Sequence, residues 1–215
     1  TNNASITLDG VSSQILNNTG DANALASLTT IGATGTLALR NGRNLSTSAG
    51  TLTCNGTIDC AENTISGAGN FVLASGGRLR IGSADGITST GATGNIQNSG
   101  STRSFHENAT YEYTGAVPQV TGNGLPPIIA NLTTNCTGPL TLSFSVTVTG
   151  ILTMTTGIIN TNSQTLTLGQ SAPGTLSYTN GRIIGQFRRQ LPASIVSDVL
   201  FPLGDATRYT PALIS

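Results

Sequence analysis

The chain has 215 residues, 37% of them hydrophobic, enough to bury a substantial core in one large all-β domain or two smaller ones. Only 8% are charged, with nine Arg against nine acidic residues, no Lys and no Trp, so the formal net charge is zero. No basic stripe exists to neutralise phosphates, which sets nucleic acid aside as a partner. No run approaches the roughly 18 apolar residues of a spanning helix, which sets membrane insertion aside.

Taken in chain order, the first half offers short strands at 6–8, 25–31, 36–39, 51–54, 71–73 and 78–81, most of them marked by apolar residues at period two. The second half continues with 101–105, 111–113, 118–120, 128–132, 140–144, 147–149, 152–154, 158–160, 165–168 and 175–178. Gly or Asn-Gly separates most of them, and no stretch carries a capped 3.6-residue period, so helix content is expected near nil. Polar, Gly-rich composition alone would fit disorder, but Leu, Ile and Val recur inside nearly every polar stretch in the pattern of half-buried strands.

The chain also repeats itself. Leu28-Thr29-Thr30, Gly35-x-Leu37-x-Leu39, Gly50-x-Leu52-Thr53 and Gly77-Arg78 recur as Leu132-Thr133-Thr134, Gly138-x-Leu140-x-Leu142, Gly150-x-Leu152-Thr153 and Gly181-Arg182. The offset near 100 to 104 residues reads as two copies of one module, at 1–104 and 105–187. The segment 118–129, with Gly122-Asn123-Gly124 and Pro126-Pro127, interrupts the pattern between them. From Arg188 onward Pro192, Pro202 and Pro211 join the aliphatic runs Ile195-Val196 and Val199-Leu200-Phe201, so 188–215 reads as the opening strands of a further β domain. The start has no basic n-region and no apolar h-region, so any export signal is absent or already removed, and the end falls inside an apparent strand, which reads as a piece of a longer chain.

Medium aliphatics inside, abundant Thr, Ser and Asn for stacked ladders, and the absence of long symmetric hairpin strands favour a solenoid over a sandwich or barrel. The expected fold is all-β, a right-handed parallel β-helix. Coils of about 20 residues stacked about 4.8 Å apart would give up to about ten coils and a rod about 50 Å long.

The texture of Phe105-x-x-Asn108-x-Thr110-Tyr111-x-Tyr113-Thr114-Gly115, Leu140-Thr141-Leu142 and Thr165-Leu166-Thr167-Leu168-Gly169 resembles tandem filler modules of large secreted surface proteins of Bacteroidetes-type bacteria. The tail Gly185-x-x-Arg188 with Phe201-Pro202-Leu203-Gly204-Asp205-x-x-x-Tyr209-x-Pro211 is similar to the segment that follows such modules. The resemblance implies type IX export and display at the cell surface, in adhesins, gliding filaments or matrix proteins. It transfers no catalytic or binding residue, because the matching positions are glycines, aliphatics and threonines.

Cys54 and Cys60 frame Cys-Asn-Gly-Thr-Ile-Asp-Cys, where Asn55-Gly56 is a turn signal. Two readings stand: a disulfide across the bend, as suits an exported protein, or two buried thiols acting as small hydrophobes. Cys136 has no sequence partner, and three Cys with no neighbouring His argue against zinc. His106 is the only histidine, and no G-x-S-x-G accompanies it. Asp9, Asp21, Asp59, Glu62 and Asp85 are scattered singly, against a polysaccharide-degrading β-helix enzyme. No catalytic residue, metal or cofactor is expected. Arg78, Arg80, Tyr111 and Tyr113 are the candidate surface contacts, surface glycans the candidate ligands, and neighbouring modules or further copies the candidate partners. The function expected is a non-catalytic structural repeat or stalk of an extracellular, cell-surface filament or adhesin. The alternative is a glycan-binding or polysaccharide-degrading β-helix protein.

Overall fold

The structure, a computed structural model, describes residues 5–8, 24–48, 50–194 and 197–215. The sequence features at Asp9, Asp21 and Ile195-Val196 lie outside the described residues. Parallel strands wind into a β-solenoid of about eight turns.

Each coil passes three faces in turn. On the first, Ser5–Leu8, Thr36–Leu39, Thr57–Asp59, Arg78–Ile81 and Thr110–Tyr113 stack in parallel, and the column continues through Ile128–Asn135, Val146–Thr156 and Thr175–Tyr178. Register is held throughout: Ile6, Leu37, Ile58, Leu79, Tyr111, Leu132, Leu152 and Leu176 occupy the same position coil after coil. At about 4.8 Å per step these eight strands span about 34 Å, shorter than the rod expected from ten coils.

Period two explains the column. From Leu37 to Leu152 each of its members is buried, while the flanking Thr36, Thr57 and Thr110 face outward. Parallel sheets usually have both faces covered. Here one face meets solvent, so the outward positions take Thr, Ser and Asn, which suit strands and water alike.

The second face is built from Leu45–Thr47, Ile65–Gly67, Gln119–Val120, Leu140–Thr141 and residues 158–160 and 182–184; the third begins with Thr30–Ile31, Thr51–Cys54, Asn70–Leu73 and Arg103–Phe105. Several second-face strands are three residues or shorter, with at most one inward aliphatic, too few for alternation to mark them in the sequence. Ala24–Ser27 form one 3₁₀ turn, where 25–27 open an expected strand, and Leu28 N–H donates to Leu25 O. At the turn after Thr51–Cys54 the coils approach so closely that a methyl on Gly56 would overlap the carbonyl oxygens of Gly32 and Gly35.

Along the first face the members from Leu37 onward are 21, 21, 32, 21, 20 and 24 residues apart. The long coil holds an excursion that visits the second face twice. Ile87 N–H donates to Thr121 O above it, and Gln97 N–H donates to Ile65 O below. Arg103 fastens the excursion, giving Nε–H to Asn98 O at 2.6 Å and Nη2–H to Gly91 O at 2.5 Å.

This geometry recasts the internal repeat. Leu37 lies on the first face but its match Leu140 lies on the second; Leu52 lies on the third and its match Leu152 on the first; Arg78 lies on the first and Arg182 on the second. Each match is displaced by one face. The structural period is the single coil, and strands on all three faces share a Gly-x-apolar-x-apolar pattern, as in Gly35-x-Leu37-x-Leu39, Gly138-x-Leu140-x-Leu142 and Gly50-x-Leu52-x-Cys54, which accounts for the longer echo.

Near the C-terminus Val199–Phe201 pairs antiparallel with Ala212–Ile214 in a small two-stranded sheet. Arg188 and Arg189 still belong to the last coil, in the strand Arg182–Arg189. The small sheet sits against that coil through an Ile183–Leu203 bridge, a Phe187–Phe201 edge contact at 5.7 Å and a Tyr178–Tyr209 stack at 6.0 Å. Arg182 clamps the connection by donating to Asp205 O and Ala206 O.

Candidate functional site

On the outer surface of the first face, Asp59, Arg80 and Glu112 are in register and alternate in sign from coil to coil. Arg40 Nη2 lies 2.5 Å from Asp59 Oδ2, and Arg80 shares the same carboxylate. Arg78 Nε lies 3.1 Å from Glu112 Oε2; Arg80 Nε is 3.2 Å from it without hydrogen-bond alignment. The guanidinium groups lie over both carboxylates, leaving Asp59 4% and Glu112 6% exposed although they face outward. Opposite charges on adjacent strands stabilise by tenths to about 1 kcal/mol per pair, and the planar Arg fork suits such bridging better than Lys. Arg78 and Arg80 therefore share the outer face, as their spacing requires, and both are engaged by carboxylates.

Tyr111 and Tyr113 correct the expectation of surface contact. Both are fully buried, because Thr110 and Glu112 take the outward positions and register sets the two rings over Leu79 and Ile81. Each hydroxyl finds a backbone acceptor, Tyr111 at His106 O (2.8 Å) and Tyr113 at Thr121 O (2.7 Å). Burial pushes both phenols well above the usual range.

The cysteines resolve to the second of the two sequence readings. Cys54 and Cys60 are free and buried, as is Cys136. Cys54 ends a third-face strand between Ile31 and Leu73, where it fills core space like an aliphatic. Desolvation pushes the Cys54 thiol up to about 12 and raises Cys60 and Cys136 as well. All three should resist alkylation in the native state at pH 8 and react after denaturation, and reductant should leave the melting temperature unchanged; mass spectrometry and thermal melts check this. The unfolded thiols ionise from about pH 8.5 while the folded ones stay neutral, so their stabilisation is full below that pH and falls as pH rises toward the folded values.

His106 is exposed in a turn, where its Nδ1 accepts from Asn108 N–H at 3.0 Å. The buried amides that organise the corner between the first and second faces carry no motif in the sequence. Asn95, fully buried, accepts from Gly82 N–H (3.1 Å) and Ser83 N–H (3.0 Å) and donates to Ala61 O (2.9 Å) and Asn63 O (2.7 Å). Gln119 accepts from Gly115 N–H and donates to Ile81 O and Ser83 O.

Outside this corner, beside the charge ladder, a groove of about 580 Å³ opens to solvent. Arg40, Asn41, Asn44, Glu62, Thr64 and Thr114 line it, over a floor that includes Ala61 and Gly82. Among the described residues no three His, Cys, Asp or Glu side chains are grouped to hold a metal ion, and no helix is long and apolar enough to cross a membrane. The fold places the chain among parallel β-solenoids. Comparison with protein-family models, curated proteins and solved structures gives no match.

Proposed function

We propose that the chain is a non-catalytic structural segment, a stiff spacer, of an extracellular surface filament or adhesin. The observation that carries this reading is the in-register parallel column of eight strands on the first face. Its backbone hydrogen bonds run along the rod axis, so pulling or bending the rod loads many of them together. The charge ladder supports the same reading: its five ionic groups are spent on one another across neighbouring coils. The resemblance of the strand texture to secreted filler modules supports a surface location, with type IX export as the route. Immunogold labelling of source cells, with and without external protease, tests the proposal. Surface label that protease removes is the expected result; label confined to the cell interior overturns it.

A further inference from the structure

We propose that the groove at the corner between the first and second faces binds a neutral oligosaccharide lying along the rod axis. The site goes beyond the spacer role and does not depend on it. Its lining comes from four consecutive coils, at residues 40–42 and 44, at 61–64, at 82, and at 114 and 116. Four coils at about 4.8 Å spacing give a track of about 14 Å. That pitch is close to the advance per ring of an extended pyranose chain, so successive sugars would meet successive coils in nearly the same relation.

The wall chemistry fits vicinal hydroxyls. Arg40 commits its terminal nitrogens to Leu39 O, Asp59 O and the Asp59 carboxylate, which leaves two of its five N–H donors for a ligand. Glu62 is an exposed carboxylate with no hydrogen bond or ion pair among the described residues. Thr64 adds a hydroxyl, and Thr114, whose hydroxyl donates to Ile81 O, adds an acceptor. The floor is held in advance, because Asn95 ties Ala61, Asn63, Gly82 and Ser83 together from the core side. A preorganised floor lowers the ordering cost of binding.

Charge and shape select among ligands. Of the charged lining residues, Arg40 is already paired with Asp59 and Glu62 is an unpaired carboxylate, so a uronic or sulfated chain finds no unopposed positive charge in the lining. A peptide would need apolar sockets for its side chains, and the only wholly apolar side chains in the lining are Ala61 and Ala116. No aromatic ring lines the groove, so recognition rests on hydrogen bonds and is weak.

The test is calorimetric titration of the chain with cellotriose, xylotriose, mannotriose and maltotriose, with trigalacturonate and a set of tripeptides as comparisons. At least one neutral trisaccharide should bind more tightly than its monosaccharide; Glu62→Ala should weaken binding by about tenfold or more, and Thr64→Val by a smaller factor. Glu62 is exposed and Thr64 half-buried, and circular dichroism checks that the strands persist. If Thr64→Val disturbs the fold, Glu62→Ala decides alone. No binding of any neutral trisaccharide at about 10 mM, preference for trigalacturonate or peptides, or binding that a folded Glu62→Ala chain retains in full overturns the proposal. Any of these failures leaves the spacer reading standing.

Discussion

Asn95→Leu should lower the unfolding free energy by about 4 kcal/mol, a large fraction of the 5–15 kcal/mol typical of a folded domain. The side chain is fully buried and makes four hydrogen bonds, all to backbone groups of two neighbouring coils. Leucine keeps the branched shape, though it is larger, but leaves two N–H donors and two carbonyls without partners, each costing about 1–3 kcal/mol when buried, with some relief from relaxation. Asn95→Asp should be no milder, because a carboxylate cannot donate to Ala61 O and Asn63 O and would bury a charge. Urea unfolding checks the size: the midpoint should fall at nearly constant slope. A loss below about 1 kcal/mol would mean that the amide does not hold the corner.

Tyr113→Ala should cost about 3–5 kcal/mol, as for other buried aromatics cut back to alanine. The ring is fully buried and stacks between Ile81 and Thr134 in the first-face column, so its removal opens a cavity between two coils. Tyr113→Phe isolates the hydroxyl, whose loss leaves Thr121 O with the Ile87 N–H as its donor and should cost about 1 kcal/mol. The pair of variants separates two roles for this tyrosine. A surface contact would tolerate alanine within about 0.5 kcal/mol, whereas a core ring cannot.

The architecture was legible because its signal is dense. Apolar residues at period two, interrupted by Gly and Asn-Gly, mark most of the first-face strands and the all-β, parallel solenoid they build. The outward position of Arg78 and Arg80 followed from the same rule. The same alternation applied to Thr110–Tyr113 puts Thr110 and Glu112 outward and Tyr111 and Tyr113 inward. Aromatics in a charge-poor chain invite a binding role, but in this strand they are core. The short second-face strands, such as Leu45–Thr47, hold too few residues to show alternation. The charge ladder was hidden for another reason. Asp59, Arg80 and Glu112 are brought together only by coil register, and the coil between Arg80 and Glu112 carries the long excursion. Asn95 sits inside that excursion and reads in sequence as one more turn residue. The groove is likewise a product of stacking, because its lining residues are scattered over more than seventy positions.

Distances along the outer edge of the first face test the stacked coil most directly. Thr36, Thr57, Arg78, Thr110, Asn131, Ile151 and Thr175 form one outward column. Spin labels on cysteines placed at Thr36 and at Asn131, Ile151 or Thr175, with the native thiols protected by burial, should lie about 19, 24 and 29 Å apart, one coil spacing per step. Distances that fail to lengthen by a constant step along the column, as in a globular sandwich, would contradict the solenoid.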